Sequence, residues 1–288
     1  MVTTNERDFE TLIKPKNGWF DLHLKEVWAY RDLTLLFVKR NFVSLYKQTV
    51  LGPAWAIIQP LLTTVIFTAV FGGLAGLAPK GINSFVYYLC GTIFWQYFGS
   101  SLTMTSTTFT ANSNIFGKVY FPRLVLPIST VITNLISLGI QFVFFIIAWT
   151  IFMFVPGNIM QPSWVIALLP ALILEMALLA LGFGIIVSAL TTKYRDLAML
   201  VSFGVQLWMY ATPVAYAGTL FSGTRWDAIY WCNPMTPILE TIKYSFMGPA
   251  AAQFRPVFLL ISVGVTAIVL FIGILLFSRV EKTFMDTV

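Results

Sequence analysis

Between Lys47 and Arg279 the chain carries only four acids, Glu175, Asp196, Asp227 and Glu240, set among apolar runs long enough to cross a bilayer. A hydrocarbon core of roughly 30 Å takes about 20 apolar helical residues, and a charge at its centre costs about 2.5–3.5 kcal/mol on insertion scales. A soluble domain scatters charge along its whole length; here charge sits at the ends and junctions. Only 10% of the residues are charged and 58% are hydrophobic, against about 25% charged in ordinary globular domains. The chain therefore reads as an all-α polytopic membrane protein.

Six transmembrane helices are expected, over about Ala54–Phe71, Phe85–Phe109, Leu126–Val155, Val165–Leu190, Leu197–Tyr216 and Val257–Phe277. Ahead of them, residues 1–21 form an irregular polar arm, with Lys14-Pro15-Lys16-Asn17-Gly18 as loop. Residues 22–53 make the next unit, helical from about Leu22 to Thr49. At about 100° per residue, Leu35, Val38, Phe42, Leu45 and Tyr46 share one face, with Arg40 and Lys47 nearly opposite. That pattern predicts an N-terminal amphipathic helix in the interface, its basic side toward the cytoplasm; Leu36 and Val43 interrupt the polar face and predict protein contact there too. Between spans five and six, Ala217–Arg255 alternates short apolar stretches with Pro234, Pro237 and Pro249. Pieces of about ten apolar residues are too short to span, so two re-entrant helices are expected.

Basic residues set the orientation. With both termini cytoplasmic, inner segments carry fourteen Lys/Arg: eight before Ala54, then Lys118, Arg123, Lys193, Arg195, Arg279 and Lys282. Outer segments carry four, Lys80, Arg225, Lys243 and Arg255. The bias fits an N-in, C-in protein of the cytoplasmic (inner) membrane. The net charge of +6 is accounted for by topology and attraction to anionic membrane lipid, not by nucleic acid. The first fifty residues lack a short apolar core followed by small residues, so no cleavable signal is expected. Cys90 and Cys232 are too few for a disulfide framework or a metal cluster and are expected as free thiols.

No catalytic constellation, metal-ligand spacing or phosphate-binding loop is found; Gly117-Lys118 lacks the preceding glycine of such a loop. Any ATP used in transport must be hydrolysed on another polypeptide. Glu175, near the middle of span four, is an intramembrane acid and thus a functional candidate, or else a structural hydrogen bond to a neighbouring helix. Span two has an aromatic outer half, Tyr87, Tyr88, Phe94, Trp95, Tyr97 and Phe98, and an inner hydroxyl ladder that includes Ser101 and Thr105. Aromatic faces stack on sugar rings and hydroxyls exchange hydrogen bonds with them, which makes these residues channel-lining candidates; an interfacial aromatic belt with close helix packing is the alternative. Arg31-Asp32 and Arg195-Asp196 stand at cytoplasmic junctions. Between spans two and three, Asn112, Asn114, Ile115, Phe116 and Lys118 form a short segment suited to a groove on a cytosolic partner.

These motifs, taken in order, resemble the membrane subunit of type-2 ABC exporters for polysaccharides, the O-antigen and teichoic-acid export permeases. The resemblance rests on Tyr46-Lys47-Gln48-Thr49-Val50-Leu51-Gly52-Pro53-Ala54-Trp55 with Gln59-Pro60, on Lys118-Val119-Tyr120-Phe121-Pro122-Arg123, and on Tyr194-Arg195-Asp196-Leu197. Thr212-Pro213-Val214, Asn233-Pro234-Met235-Thr236-Pro237 and the stretch from Glu281 to Val288 complete it. It implies that residues 54–288 form an ABC transmembrane type-2 domain, and that two such chains pair as a homodimer with two cytosolic ABC ATPase subunits. ATP and magnesium would then bind the ATPases, leaving this non-enzymatic chain without a cofactor. A lipid-linked polysaccharide would cross through a channel between the two permease copies. The amphipathic helix becomes a gate at the cytoplasmic entrance, with Lys39, Arg40, Tyr46, Lys47 and Gln48 foremost, and Asn112–Lys118 becomes the segment coupled to the ATPase. Three other readings remain open at this stage: a type-2 ABC permease for a drug or lipo-oligosaccharide, an integral-membrane enzyme acting on lipid-linked sugars, and an ion-coupled transporter.

Overall fold

The computed structural model describes residues 24–283 apart from 113–114, 116–120, 193 and 195. Among the described residues all regular structure is helical. The elements are α1 (Leu24–Ala29), α2 (Arg31–Tyr46), α3 (Trp55–Phe67), α4 (Ser84–Ser106), α5 (Thr108–Ala111), α6 (Val125–Met153), α7 (Leu169–Thr191), α8 (Leu197–Tyr210), α9 (Asp227–Cys232), α10 (Met235–Met247) and α11 (Pro256–Thr283).

Four stretches are long and apolar enough to cross a membrane: Gly52–Leu74, Val125–Met153, Trp164–Thr191 and Pro256–Val280. They correspond to expected spans one, three, four and six. The segment for span two, α4, has 23 residues and comparable length, but its hydroxyls lower its hydropathy and its surface is largely buried by other helices. The segment for span five, α8, is shorter, at 14 residues, because the chain turns at Ala211–Thr212 ahead of Pro213. Between α8 and α11, α9 and α10 fold back into the bundle. Nearly every side chain of the 13-residue α10 is buried, so it belongs to the interior.

Helix α4 is the central post, packed against α3, α6, α7, α8 and α10. Asn83 starts it, its side chain accepting from the backbone N–H of Phe85 and Val86 at 3.0 and 3.4 Å. Its aromatic side chains interlock edge-to-face with neighbours: Phe98 with Trp208 at 5.2 Å, and Trp95 with Trp208 at 6.2 Å. Lipid supplies no hydrophobic drive between spans, so close contact through small residues matters more there. Helices α7 and α11 meet in that way: a Cβ on Gly273 would lie 2.8 Å from the Gly182 carbonyl oxygen.

A second apolar cluster sits at the end of the bundle where α2 begins and α11 finishes. Phe109 stacks on Phe277 at 4.5 Å, and Phe37 of α2 meets Phe121 at 5.6 Å. The expected helix over 22–49 is present, but broken at Tyr30 and ended at Tyr46, with Gln48 in left-handed backbone at φ 63°. Its packed face agrees in part. Of the expected face, Val38 is buried and Phe42 and Tyr46 are half-buried, joined by buried Thr34 and Phe37, whereas Leu35 and Leu45 point outward. The packed stripe advances by three and four residues from Tyr30, whose carbonyl accepts the Thr34 hydroxyl at 3.2 Å. Leu35, Leu36 and Val43 then face lipid or another protein.

Replacing Gly273 with valine should force α7 and α11 apart and lower the stability of the detergent-solubilised chain by about 1–3 kcal/mol, the usual range for overpacking. Gly264→Ala, on the same helix with open space around it, should leave the thermal midpoint unchanged. Equal midpoints for both variants would remove this contact as a packing constraint.

Candidate functional site

A groove of about 570 Å³ opens between α3 and α8, with α4 as its floor. It is lined by Gln59 and Thr63 of α3, Gln96 and Ser100 of α4, and Ser202 and Gln206 of α8. A smaller cavity of about 200 Å³ adjoins it, sharing Gln59, Gln96 and Ser100 and reaching under the end of α2 to Tyr46, Trp55 and Gln141. Among the described residues no charged side chain borders either space. Helical geometry gives α4 this open face: Gln96, Ser100 and Thr103 recur every three or four residues, leaving the rest of the helix to pack.

Of the channel-lining candidates, Trp95 and Tyr97 border the two spaces. Tyr87, Tyr88, Phe94, Phe98, Ser101 and Thr105 are packed inside the bundle. Tyr87 donates its hydroxyl to the Tyr216 carbonyl at 2.8 Å, and Ser101 accepts from Asn134 at 3.2 Å. The inner end of the hydroxyl ladder returns to its own backbone: Ser106 donates to Thr103, Thr107 to Met104 and Thr108 to Thr105, at 2.7–3.1 Å. Reading span two as one surface overlooked that each residue turns the helix by about 100°. Gln59, Gln96, Gln141 and Gln206 were missed; their signal was an amide within an otherwise apolar span.

The gate-helix residues gather where α2 gives way to α3. Tyr46 is within hydrogen-bond distance of Ser137 of α6, Oη to Oγ 3.1 Å. Lys47 and Gln48 occupy the exposed turn that follows. Lys39 is exposed, and the Arg40 guanidinium lies 4.5 Å over the Phe37 ring. Arg31 and Asp32 approach to 4.0 Å in full exposure, a pairing worth little. Asp196 begins α8, its carbonyl accepting from Met199 and Leu200. Ile115 packs against the cluster containing Phe37 and Phe109, and Asn112 donates to the Thr108 carbonyl at 3.0 Å. Asn114, Phe116, Lys118 and Arg195 lie outside the described residues.

Glu175 does not face the groove. Its Oε1 is 2.6 Å from Ser262 Oγ on α11, and the same Oγ is 2.7 Å from the Pro234 carbonyl oxygen at the start of α10. A serine hydroxyl has one proton and a carbonyl has none. The Ser262 hydroxyl stands as donor between the Glu175 carboxyl and the Pro234 carbonyl, shared by two acceptors. The chain of three groups links α7, α11 and the re-entrant helix. At the opposite edge of α10, buried Glu240 accepts from the Tyr230 hydroxyl at 3.0 Å and the Gln253 backbone N–H at 2.8 Å. Burial, then nearby Glu240, pushes the Tyr230 phenol well above its ordinary pKa, so it stays a neutral donor. Lys243 donates to the Pro213 carbonyl and lies 3.8 Å from the centre of the Tyr87 ring. Cys90 is buried, Cys232 is exposed, and both are free.

Glu175→Gln, which keeps a carbonyl oxygen to accept from Ser262, should keep wild-type thermal stability in detergent. Glu175→Leu should lose about 1–3 kcal/mol, because it strips a buried partner from Ser262. A glutamine variant as unstable as the leucine one would show that charge matters at this position.

Residues 32–247 match the family described as ABC-2 type transporter. The chain is similar to an O-antigen export system permease protein RfbA of Klebsiella pneumoniae, 28% identical over 255 residues that cover 88% of this chain and 94% of that protein. It is also similar to an O-antigen export system permease protein RfbA of Myxococcus xanthus, 25% identical over 244 residues covering 84% and 90%. The family match takes in α2 through α10, including both walls and the floor of the groove, and extends over far more than half of the 288 residues. With its several membrane-crossing helices, the chain belongs to the ABC-2 type transporter family.

Proposed function

We propose that this chain is the permease subunit of an ATP-binding cassette exporter that carries a lipid-linked polysaccharide across the cytoplasmic membrane. The observation that carries this reading is the uncharged groove of amides and hydroxyls, bordered by Trp95 and Tyr210, inside a bundle of apolar helices. A hydrated glycan cannot cross hydrocarbon unaided, and such a surface can exchange hydrogen bonds with its hydroxyls one by one. The export of O-antigen named for the similar permeases supports the same cargo class. A drug permease would be better served by an apolar cleft. An enzyme acting on lipid-linked sugars would need its carboxylates at the groove, whereas Glu175 and Glu240 are spent on helix contacts.

The ABC-2 family implies an ABC ATPase partner. In this proposal two permease copies face one another and two cytosolic ATPases, binding ATP and magnesium, drive them. The outward residues of α3 and α8, among them Leu62, Ile66, Met199 and Phe203, are exposed in the single chain and suit a second copy closing the groove. Both termini are cytoplasmic, and the six helices α3, α4, α6, α7, α8 and α11 cross the bilayer. The segment 112–118 receives motion from the ATPase. Ile115, Phe37 and Phe121 share one apolar cluster, so that motion reaches the gate helix by direct packing. The gate helix then admits the lipid-linked end past Lys39, Arg40 and Lys47.

Co-expression with an ABC ATPase encoded beside it should give a stable complex and ATP-dependent glycan uptake into inverted vesicles; glycan movement without any ATPase would overturn the proposal. Phe116→Asp should reduce ATPase co-purification severalfold with membrane insertion intact, and undiminished co-purification would reject the coupling role of 112–118. In a Cys90→Ser, Cys232→Ser background, Lys80→Cys should react with an impermeant maleimide from outside and Lys193→Cys only after permeabilisation. The reverse pattern would invert the topology.

A further inference from the structure

The two walls of the groove are held very differently. Wall α3 is tied along its length. Proline has no N–H, so Pro60 leaves the Ala56 carbonyl without its helical donor, and Gln141 of α6 supplies one at 2.9 Å. Thr64 meets Thr92 of α4, oxygen to oxygen 2.9 Å, and Pro60, Thr64 and Phe67 are buried. Wall α8 has no buried residue in its 14 positions. In its inner half Met199, Leu200 and Phe203 are more than half exposed, and Gly204 has open space around it. Stretches with few buried contacts are the ones that move at least cost, and a glycine inside a helix weakens it.

The firmest attachment of α8 is Trp208, near its outer end. The ring lies against Trp95, Phe98 and Phe183 at 6.2, 5.2 and 5.4 Å. Its Nε1 donates to Asn233 Oδ1 at 3.0 Å, and among the described residues this is the side-chain hydrogen bond that joins α8 to another element. Val201, Val205 and Met209 add half-buried apolar contact with the same core. Asn233 is itself fixed: its Nδ2 donates to Ala211 O and Thr212 Oγ1 at 3.2 and 2.9 Å, and its Oδ1 also accepts from the Met235 N–H at 3.1 Å.

The outer end to which Trp208 attaches is stiff. Among the described residues, the backbone hydrogen bonds between segments far apart in the chain all lie there. The N–H of Ile159 donates to Gly81 at 2.7 Å, Gln161 to Met247 at 3.3 Å, Ser163 to Ser245 at 2.9 Å and Ala217 to Leu77 at 3.2 Å. At Gly248, with φ 80°, the end of α10 comes so near that a Cβ would lie 2.7 Å from the Gln161 carbonyl oxygen. A bar fastened at one end to a stiff body, and loose at the other, swings about the fastened end.

We propose that Trp208 is a positioning residue for transport: the pivot about which the inner half of α8 swings against a fixed α3, changing the width of the groove at its cytoplasmic end. The proposal rests on the reading of the chain as an exporter. Ser202 and Gln206 ride on the swinging wall, so the motion carries them toward or away from Gln59 and Thr63. The swing is largest near Leu197, where α8 begins, and dies out at the Trp208–Asn233 bond.

The test uses the full-length chain with its ATPase in lipid nanodiscs, assembled so that one copy carries two nitroxide labels in a Cys90→Ser, Cys232→Ser background. Leu200→Cys with Ile136→Cys spans the inner end, and Lys80→Cys with Ile229→Cys spans the outer end; all four positions are exposed. Pulsed-EPR distances are compared without nucleotide and with ATP and vanadate. The inner distance should shift on trapping while the outer one stays. Trp208→Phe keeps a ring but loses the donor, so the inner distribution should broaden without nucleotide. Glycan uptake per ATP hydrolysed should then fall about twofold to tenfold, the effect of one lost hydrogen bond. Trp208→Ala should lower that ratio further. An inner distance that ATP leaves unchanged, as for a wall clamped by the second copy, overturns the pivot; so does an equal shift at the outer pair, or a Trp208→Phe chain with wild-type uptake per ATP. If those results come from complexes that export glycan, the exporter reading stands and only the pivot is lost. Wild-type complexes that hydrolyse ATP and shift the inner pair, yet take up no glycan, overturn the exporter reading instead.

Discussion

Every polar group carried into hydrocarbon must find its partner inside the protein, and the bundle is arranged around that demand. Threonine and serine hydroxyls turn back to carbonyls in their own helices, as Thr64 does to Pro60 at 2.7 Å and Thr133 to Ser129 at 2.7 Å. Thr64 also reaches Thr92 across the α3–α4 contact, oxygen to oxygen 2.9 Å. Where proline breaks the internal ladder of α3, an amide from α6 repairs it. Where acid is carried inward, as at Glu175, serine and a backbone carbonyl close the circuit. Other polar side chains, Gln59, Gln96, Ser100 and Gln206 among them, lie along the groove, where water or cargo can serve them.

The same demand explains the segment between α8 and α11. Its short helices and the turns between them would in lipid leave carbonyls and amides bare. Buried inside the bundle, these are served by side chains: the Pro213 carbonyl by Lys243 and the Gln253 N–H by Glu240, which also accepts from Tyr230. Gly218 is required there, because a Cβ would lie 2.2 Å from the Tyr230 hydroxyl. Asp227 at the start of α9 and Arg255 just before α11, paired at 2.9 Å, tie the segment together. Such a cap is held by many charge-assisted bonds in a small volume, so it moves as one body or not at all.

Much of this was legible in the amino acids. Scarce acids and long apolar runs identified a membrane bundle, and Pro234, Pro237 and Pro249 identified the folded-back segment. The groove was legible only in part. Span two announced its aromatic and hydroxyl content, but Phe94 and Gln96 are neighbours in sequence and look in different directions in the fold. Which side of α4 stays open depends on where α3, α6 and α8 dock, and that depends on residues far away in the chain. The face of α2 was placed only in part for a related reason: a helix lying on a protein buries the stripe its neighbour can receive, here Thr34 and Phe37 beside the expected Val38, and leaves Leu35 and Leu45 outside. Gln141 was invisible because its value lies in Pro60, 81 positions earlier.

A route for a polymer must grip and release at every step, which bears on why the groove carries no charge among its described lining residues. A neutral hydrogen bond returns about 0.5–1.5 kcal/mol net, whereas one to a charged group returns roughly twice that. A corridor of Gln59, Gln96, Ser100 and Gln206 therefore offers many weak and interchangeable contacts, and a sliding chain trades one for the next at little cost. Lys39, Arg40 and Lys47 stay outside it, on α2 and the turn beyond, where an anionic lipid-linked end would meet them once. Many weak contacts along the path, and charge kept to its mouth, are what stepwise passage of a long chain needs.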